Sequence, residues 1–479
     1  MFTIARDKFV TTLLLTVLVM LLFILPEWQA PLTLTMWAAV ILFCIQRIRE
    51  RLLLLLFEVT LFTFLMTRLV LPDIFSTGYI TNDADGVVRM FDAETLRFIY
   101  TTLMISITGS YLGYCMVSEN SENTGSTYDN QTPYVASVRR MSKILSAICS
   151  VFYVALLAEK AMFVFQNGYF SMYAEFDSQL PSIVHKLASL YVPLLYLFLA
   201  TLPSKSEARF HIGLYLIVAI SSLATGGRTI FMLALVFIFF YYVLRNFISP
   251  EEPWLSRKAV IIIVLAIPLL LSGMFLIDFI RADKEMEEEG SVINLLVNFF
   301  YQQGTSCQVI GLTHQMQTLL DDGRIFSFGQ IIDNFNKNFV FQLMGTAVEY
   351  RPQTEEMAQY GHSLANTLTY YTKYKSFLSG VGLGTSYIAE VWHDFGYTGL
   401  ILWNIMYGVI FAKLYQWIKK GLWACAFGLI VIPDIIYAPR GQAAAFLNVF
   451  FSVTILGVFL IIHLIAKHLT KDNENTGVH

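Results

Sequence analysis

The sequence predicts an all-α polytopic membrane protein, and three observations carry that expectation. Of the 479 residues, 56% are hydrophobic and only 14% are charged, well below the roughly one quarter of charged residues in a soluble domain. Apolar runs recur along the chain, each near the roughly twenty residues that a helix needs to cross a bilayer. The alternating pattern of a membrane β-barrel is missing from the sequence. A net charge of −3 is uninformative, and nothing in the sequence suggests a nucleic-acid partner.

Twelve spans are expected, near residues 9–25, 31–46, 52–71, 96–117, 144–165, 184–203, 210–224, 229–247, 259–280, 395–415, 421–437 and 442–466. The first run lacks a small-x-small cleavage site and a second run follows at once, so it reads as a span and not as a secretion signal. Basic residues in the short connections set the orientation. With the N-terminus in the cytoplasm, cytoplasmic turns hold Arg47, Arg49 and Arg51, then Arg139, Arg140 and Lys143, then Lys413, Lys419 and Lys420. The C-terminus is then cytoplasmic too. The chain divides into nine helices over 1–280, a large extracytoplasmic segment over 281–394, three helices over 395–466 and a tail over 467–479.

The long segment is rich in Phe, Tyr, Leu and Val, which argues against disorder and for short amphipathic helices on the membrane face joined by glycine turns. Its "KEMEEEG" run reads as a solvated linker. The polar "SENSENTGSTYDNQTPY" within 118–143 reads as a flexible loop. Cys44, Cys115, Cys149, Cys307 and Cys425 are scattered, with no disulfide framework and no CxxC pair.

Three arginines run against the positive-inside bias. Arg228 lies in the "TGGR" turn, Arg440 in "YAPRGQ", and Arg281 ends the ninth expected span. One such arginine can simply snorkel to lipid headgroups. Three at one depth, two of them in turns too short to need a cation, point to an anion. A guanidinium beside the free N–H groups of a helix N-terminus suits a phosphate or diphosphate, which it grips with two parallel hydrogen bonds. Arg228 and Arg440 are expected to start helices. Arg68, near the outer end of its span, is a further cation for such a site, and Lys160 with Glu159 is costly inside a membrane unless paired.

A second constellation is "GVGLGTSYIAEVWHDFGYTGL", Gly380 to Leu400. Glu390, His393 and Asp394 fall three and four residues apart, on one helix face. Glu390, and after it His393, are candidate catalytic groups that orient or deprotonate a sugar hydroxyl. The structural alternative is that these residues satisfy loop backbone and cap the next helix. Tyr350, Arg351 and His362 of "VEYRPQTEEMAQYGHSLANTL", with Gln303 of "YQQG" and Asp394, are candidate sugar-binding residues. Aromatic rings stack on sugar faces, and amides and carboxylates bind hydroxyls; the same residue types also serve loop structure. His314 and His362 have no metal-ligand spacing around them, so neither a metal nor another cofactor is expected.

The order of spans, the large outer segment before the last few, the "TGGR" turn, "YQQG" and "GxGTSYIAExxxDFGxxG" from Gly382 to Gly399 resemble the Wzy-type O-antigen polysaccharide polymerases of bacterial cytoplasmic membranes. The layout is similar over most of the chain. The Asp394-x-Gly396-x-x-Gly399 ending is also similar to the close of the outer loop in O-antigen ligases, but where those carry a His-Asn pair this chain has Thr385 and Ser386. The polymerase resemblance implies a GT-C-like fold in the inner membrane, in contact with membrane lipid. It implies undecaprenyl-diphosphate-linked oligosaccharide as substrate, transfer of the growing glycan onto a new lipid-linked unit outside the membrane, and a separate chain-length regulator as partner. An O-antigen ligase and a flippase or transporter of lipid-linked oligosaccharide are the alternatives; a transporter predicts midplane polar groups and repeat symmetry.

Overall fold

A computed structural model of the chain describes residues 2–74, 91–117, 128–249, 251–256, 258, 292–320, 323–336, 344, 348, 350–351 and 353–476. The first eight long helices are α1 (Phe2–Ile24), α2 (Gln29–Gln46), α3 (Ile48–Leu61, continuing as a π-helical stretch Phe62–Met66 and then Thr67–Ile74), α4 (Ala93–Met116), α5 (Pro133–Asn167), α6 (Ser182–Ala200), α7 (Lys205–Ser221) and α8 (Thr229–Ile248). Short helices follow: α9 (Val292–Gln303), α10 (Ser306–Gln315), α11 (Gly329–Asn336), α12 (Glu355–Tyr360), α13 (Leu364–Thr372) and α14 (Tyr374–Leu378). The chain closes with α15 (Tyr387–Ile418), α16 (Leu422–Tyr437) and α17 (Val453–Thr476). Among the described residues there is no strand, and nine helices are long and apolar enough to cross a membrane. The expected span at 259–280, Arg281 after it and the acidic run lie outside the described residues.

Side-chain caps account for several helix starts. The Asp92 carboxylate accepts from the Thr95 amide at 2.8 Å ahead of α4, and the Ser204 hydroxyl accepts from the Glu207 amide at 3.3 Å ahead of α7. Thr132 caps α5 through the Val135 amide at 3.3 Å, with Pro133 in the first helical position. This start corrects the expectation of a flexible loop up to residue 143. Tyr128 donates its hydroxyl to the Ala200 carbonyl, and Asn130 Nδ2 donates to the Leu202 carbonyl at 2.9 Å. Residues 128–132 are thus tied to the end of α6, and α5 begins well before residue 144. At the other end of α5, Glu159 accepts from Ser178 Oγ at 2.5 Å and from the Gln179 amide at 2.7 Å, and so anchors the connection to α6.

The centre of the bundle is the contact between α4 and α15. A Cβ on Gly113 would collide with the backbone of Ile405, and one on Gly408 with the Ser110 carbonyl. Gly109 and Gly113 of α4 therefore face Asn404 and Gly408 of α15, a small-xxx-small pairing that lets two helix backbones approach closely. Asn404 Nδ2 donates across the same contact to Ser106 Oγ at 3.4 Å; beside it, Tyr387 donates to Asn404 Oδ1 at 2.7 Å within α15, and Ser110 ties α4 to Glu58 Oε1 of α3 at 2.7 Å. Gly113→Leu forces a side chain into backbone, and overpacking of this kind costs about 1–3 kcal/mol or more. We expect it to remove the monodisperse peak in detergent size-exclusion chromatography, whereas Gly213→Ala, which meets open space, elutes like the parent.

Two boundaries differ from expectation, and both bear on function. α15 starts at Tyr387, ahead of residue 395, and breaks at Gly396, whose φ of 62° and ψ of −161° are accessible essentially to glycine alone. The "YIAEVWHDF" stretch is thus a helical extension of the tenth expected span. The last span is shifted as well. After α16 the chain makes a 3₁₀ turn at Ala438–Arg440, and residues 441–452 hold only the short turns Ala445–Leu447 and Asn448–Phe451 before α17. Arg440 therefore starts no helix. The Ala443 amide donates to Glu390 and the Ala444 amide to the Ser327 carbonyl, which withdraws both donors from a helical ladder.

Candidate functional site

The Arg228 turn is built around one left-handed glycine. Gly226 has φ +75°, and the Tyr169 ring occupies the space that a Cβ there would need. The turn delivers Arg228 as the N-cap residue of α8, beside amide donors that have no intrahelical acceptor. Arg228 is half-buried.

Arg440 is reached from two sides. Its Nη1 donates to the Gln303 carbonyl at 3.1 Å and to Gln303 Oε1 at 3.2 Å, and its guanidinium lies 5.5 Å from the Phe64 ring centre. Phe64 belongs to the π-helical stretch of α3, a local widening that often occurs at functional sites. Its ring meets that of Tyr437 edge-on at 5.6 Å, and the Tyr437 hydroxyl is 3.4 Å from Thr229 Oγ1, the residue after Arg228. The "YQQG" segment is held from the other side by Arg68, whose guanidinium lies 4.5 Å from the Tyr301 ring centre. Gly304 is so close to Thr67 and Arg68 that a Cβ would come within 2.6 Å of them. Helices α3, α8, α9 and α16 thus bring Arg68, Arg228, Gln303 and Arg440 to one end of the bundle.

Glu390, His393 and Asp394 share one turn of α15, but they face inward. Glu390 is fully buried; Oε1 accepts from Thr385 Oγ1 at 2.7 Å and Oε2 from the Ala443 amide at 2.8 Å. The Asp394 side chain is 1% exposed and accepts from the amides of Phe326 (3.0 Å) and Ser327 (2.7 Å) and from Ser327 Oγ (2.5 Å). His393 Nδ1 pairs with Asp394 at 2.9 Å and Nε2 with the Leu320 carbonyl at 3.2 Å. The expectation of an acceptor-facing Glu390 or His393, and of a groove-lining Asp394, therefore meets a different arrangement. Their polar atoms are engaged within the protein, because the backbone of 326–327 and 443–444 has no helical partners and takes them instead.

The remaining sugar-binding candidates flank the short helix α12, Tyr350 and Arg351 before it and His362 in the turn between α12 and α13. Tyr350 stacks on Tyr360 with ring centres 6.3 Å apart, and Arg351 is exposed. His362 Nδ1 lies 2.9 Å from Asp333 Oδ1, with both side chains about one-fifth exposed. Asp333 also accepts from the His362 amide, a partner that sequence pattern could not reveal because it sits on a separate helix. Gln353 has a left-handed backbone (φ 59°). Its carboxamide nitrogen faces Gly382, and its buried Oε1 has no hydrogen-bond partner among the described residues. Burial pushes the Cys307 thiol up to about 12, away from the thiolate form. No cluster of three His, Cys, Asp or Glu side chains forms among the described residues.

A bundle of helices long and apolar enough to cross a membrane, with guanidinium groups, amides and tyrosines gathered at one end, is that of a multi-pass membrane protein. The chain belongs to the family described as O-antigen polysaccharide polymerase Wzy, which it matches over residues 8–473. No curated protein and no solved structure matches it. As a member of that family it is a multi-pass inner-membrane protein that polymerises O-antigen from lipid-linked oligosaccharide, a glycosyltransferase-type activity. That membership favours the polymerase over the ligase and transporter readings.

Proposed function

We propose that the protein joins repeat units at the outer face of the membrane with undecaprenyl diphosphate as the leaving group, and that protein cations serve where other glycosyltransferases use a metal. Arg228 and Arg440, with Arg281, hold the diphosphate. The acceptor hydroxyl oxygen attacks the anomeric carbon of the donor glycan. The bond from that carbon to the diphosphate oxygen breaks, and its electron pair leaves with the diphosphate. Negative charge grows there in the transition state, so fixed cations stabilise it more than they stabilise the ground state. The observation that carries this reading is the hydrogen bonding of Arg440 to Gln303 beside a tyrosine that touches the residue after Arg228.

Tyr350, Arg351 and His362 serve the acceptor glycan. With Nδ1 engaged by Asp333, His362 keeps Nε2 for the proton of the acceptor hydroxyl. Glu390, His393 and Asp394 are positioning residues in this reading: they hold 441–444, and through it Arg440. The chain-wide frame is a GT-C-like arrangement of twelve spans with both termini cytoplasmic, residues 281–394 outside, and a chain-length regulator as partner. The test is a polymer ladder made by purified protein from undecaprenyl-diphosphate-linked repeat units in EDTA. A ladder that appears only after a divalent cation is restored would overturn metal independence.

A further inference from the structure

The connection between α5 and α6 carried no functional motif in the sequence, yet both glycine-bearing motifs converge on it. The Tyr169 ring fills the space over Gly226 of the "TGGR" turn. Tyr169 and Tyr173 are one helical turn apart, with hydroxyls 2.9 Å from each other and rings edge-on at 5.4 Å. From the other side comes Gly380, the first residue of "GVGLG", with φ +94°. A Cβ there would strike the Phe170 carbonyl and approach Tyr173 Cβ to 3.4 Å. Two residues on, Gly382 lies beside Gln353, whose buried carboxamide oxygen has no donor among the described residues. Tyr173 is 41% exposed.

A pyranose fits this set of groups. Its C–H face needs an aromatic ring, and Tyr173, 41% exposed, offers one that meets the Tyr169 ring edge-on. Its hydroxyl rim carries donors, and one sugar hydroxyl would satisfy the Gln353 oxygen, an acceptor buried without a partner among the described residues. The left-handed backbone of Gln353 is the kind of local strain that clusters at ligand sites. Arg228 is two residues from Gly226, a reach of about 7 Å at most, so the sugar held here is the one next to the diphosphate.

We propose that Tyr173, with Tyr169 edge-on beside it, is the stacking platform for the sugar attached to the carrier diphosphate, and that Gln353 accepts a hydrogen bond from one of its hydroxyls. The assignment rests on the reading that the diphosphate lies at Arg228. The experiment measures binding of two ligands to the full-length protein in nanodiscs: undecaprenyl diphosphate without sugar, and the lipid-linked repeat unit extracted from the protein's own cells. The parent binds the glycosylated ligand at least tenfold more tightly. Tyr173→Ala and Gln353→Ala each lose most of that preference while binding of the sugar-free carrier stays the same, and Tyr173→Phe, which keeps the ring, restores it. Arg228→Ala weakens both ligands by the same factor. Equal weakening of both ligands by Tyr173→Ala would make the tyrosine a bilayer-interface anchor and overturn the subsite, as would no effect on either. Failure of Arg228→Ala alone would overturn the diphosphate reading, and with it the placement of this sugar beside the diphosphate.

Discussion

Arg440→Ala is expected to lower polymer formation by about 10²–10³, the range seen when one fixed donor to a developing negative charge is removed, with the protein still folded in the membrane. Two effects combine. The leaving diphosphate loses a cation, and the Gln303 carbonyl and carboxamide lose the guanidinium that orders them. Arg440→Lys should recover little, because a compact ammonium cannot reproduce the planar fork that donates to two oxygens at once. Arg228→Ala should be as damaging, and the double variant hardly worse than either single one, since groups acting on one leaving group are not additive. The measurement is the ladder of lipid-linked products from purified enzyme. A normal ladder from Arg440→Ala would remove this residue from the anion site.

Asp394→Ala is expected to have the largest effect on stability. The buried carboxylate serves the amides of Phe326 and Ser327, the Ser327 hydroxyl and His393. Alanine leaves these donors without their acceptor, and each buried donor left unsatisfied costs about 1–3 kcal/mol. Loss should be local before it is global. Hydrogen exchange at Phe326 and Ser327 should accelerate strongly, while the amides of α4 and the inner half of α15 keep their protection. Activity should fall too, because Ser327 accepts the Ala444 amide, and the Ala443–Ala444 stretch leads back to Arg440. Unchanged exchange at Phe326 and Ser327 would show that other contacts hold this loop.

The functional ends of the chain were legible to different depths. Arg228 and Gly226 were readable because a turn between two apolar helices is local: the glycine supplies the left-handed backbone and the arginine follows it into α8. Arg440 was readable as a cation at a turn, but not as the end of a helix, because the Ala443 and Ala444 amides are withdrawn from a helical ladder by Glu390 and Ser327, 53 and 117 residues earlier in the chain. The i, i+3, i+4 spacing of Glu390, His393 and Asp394 correctly placed them on one turn, yet spacing carries no information about which way that turn faces. Asp333 beside His362 and Tyr169 beside Gly226 were invisible in the sequence, since each contact joins segments that no local pattern connects.

Apolar length and composition determined by themselves that this chain is a helical, multi-pass membrane protein, because a bilayer core requires each span to satisfy its own backbone, and that requirement is written residue by residue. The family motifs likewise stand in the sequence as it is. Only the tertiary structure decided which polar groups remain available for a substrate. Availability depends on what comes to lie opposite a side chain once the helices pack: Glu390 found Thr385 and Ala443, Asp394 found the 326–327 loop, and the oxygen of Gln353 found no donor among the described residues.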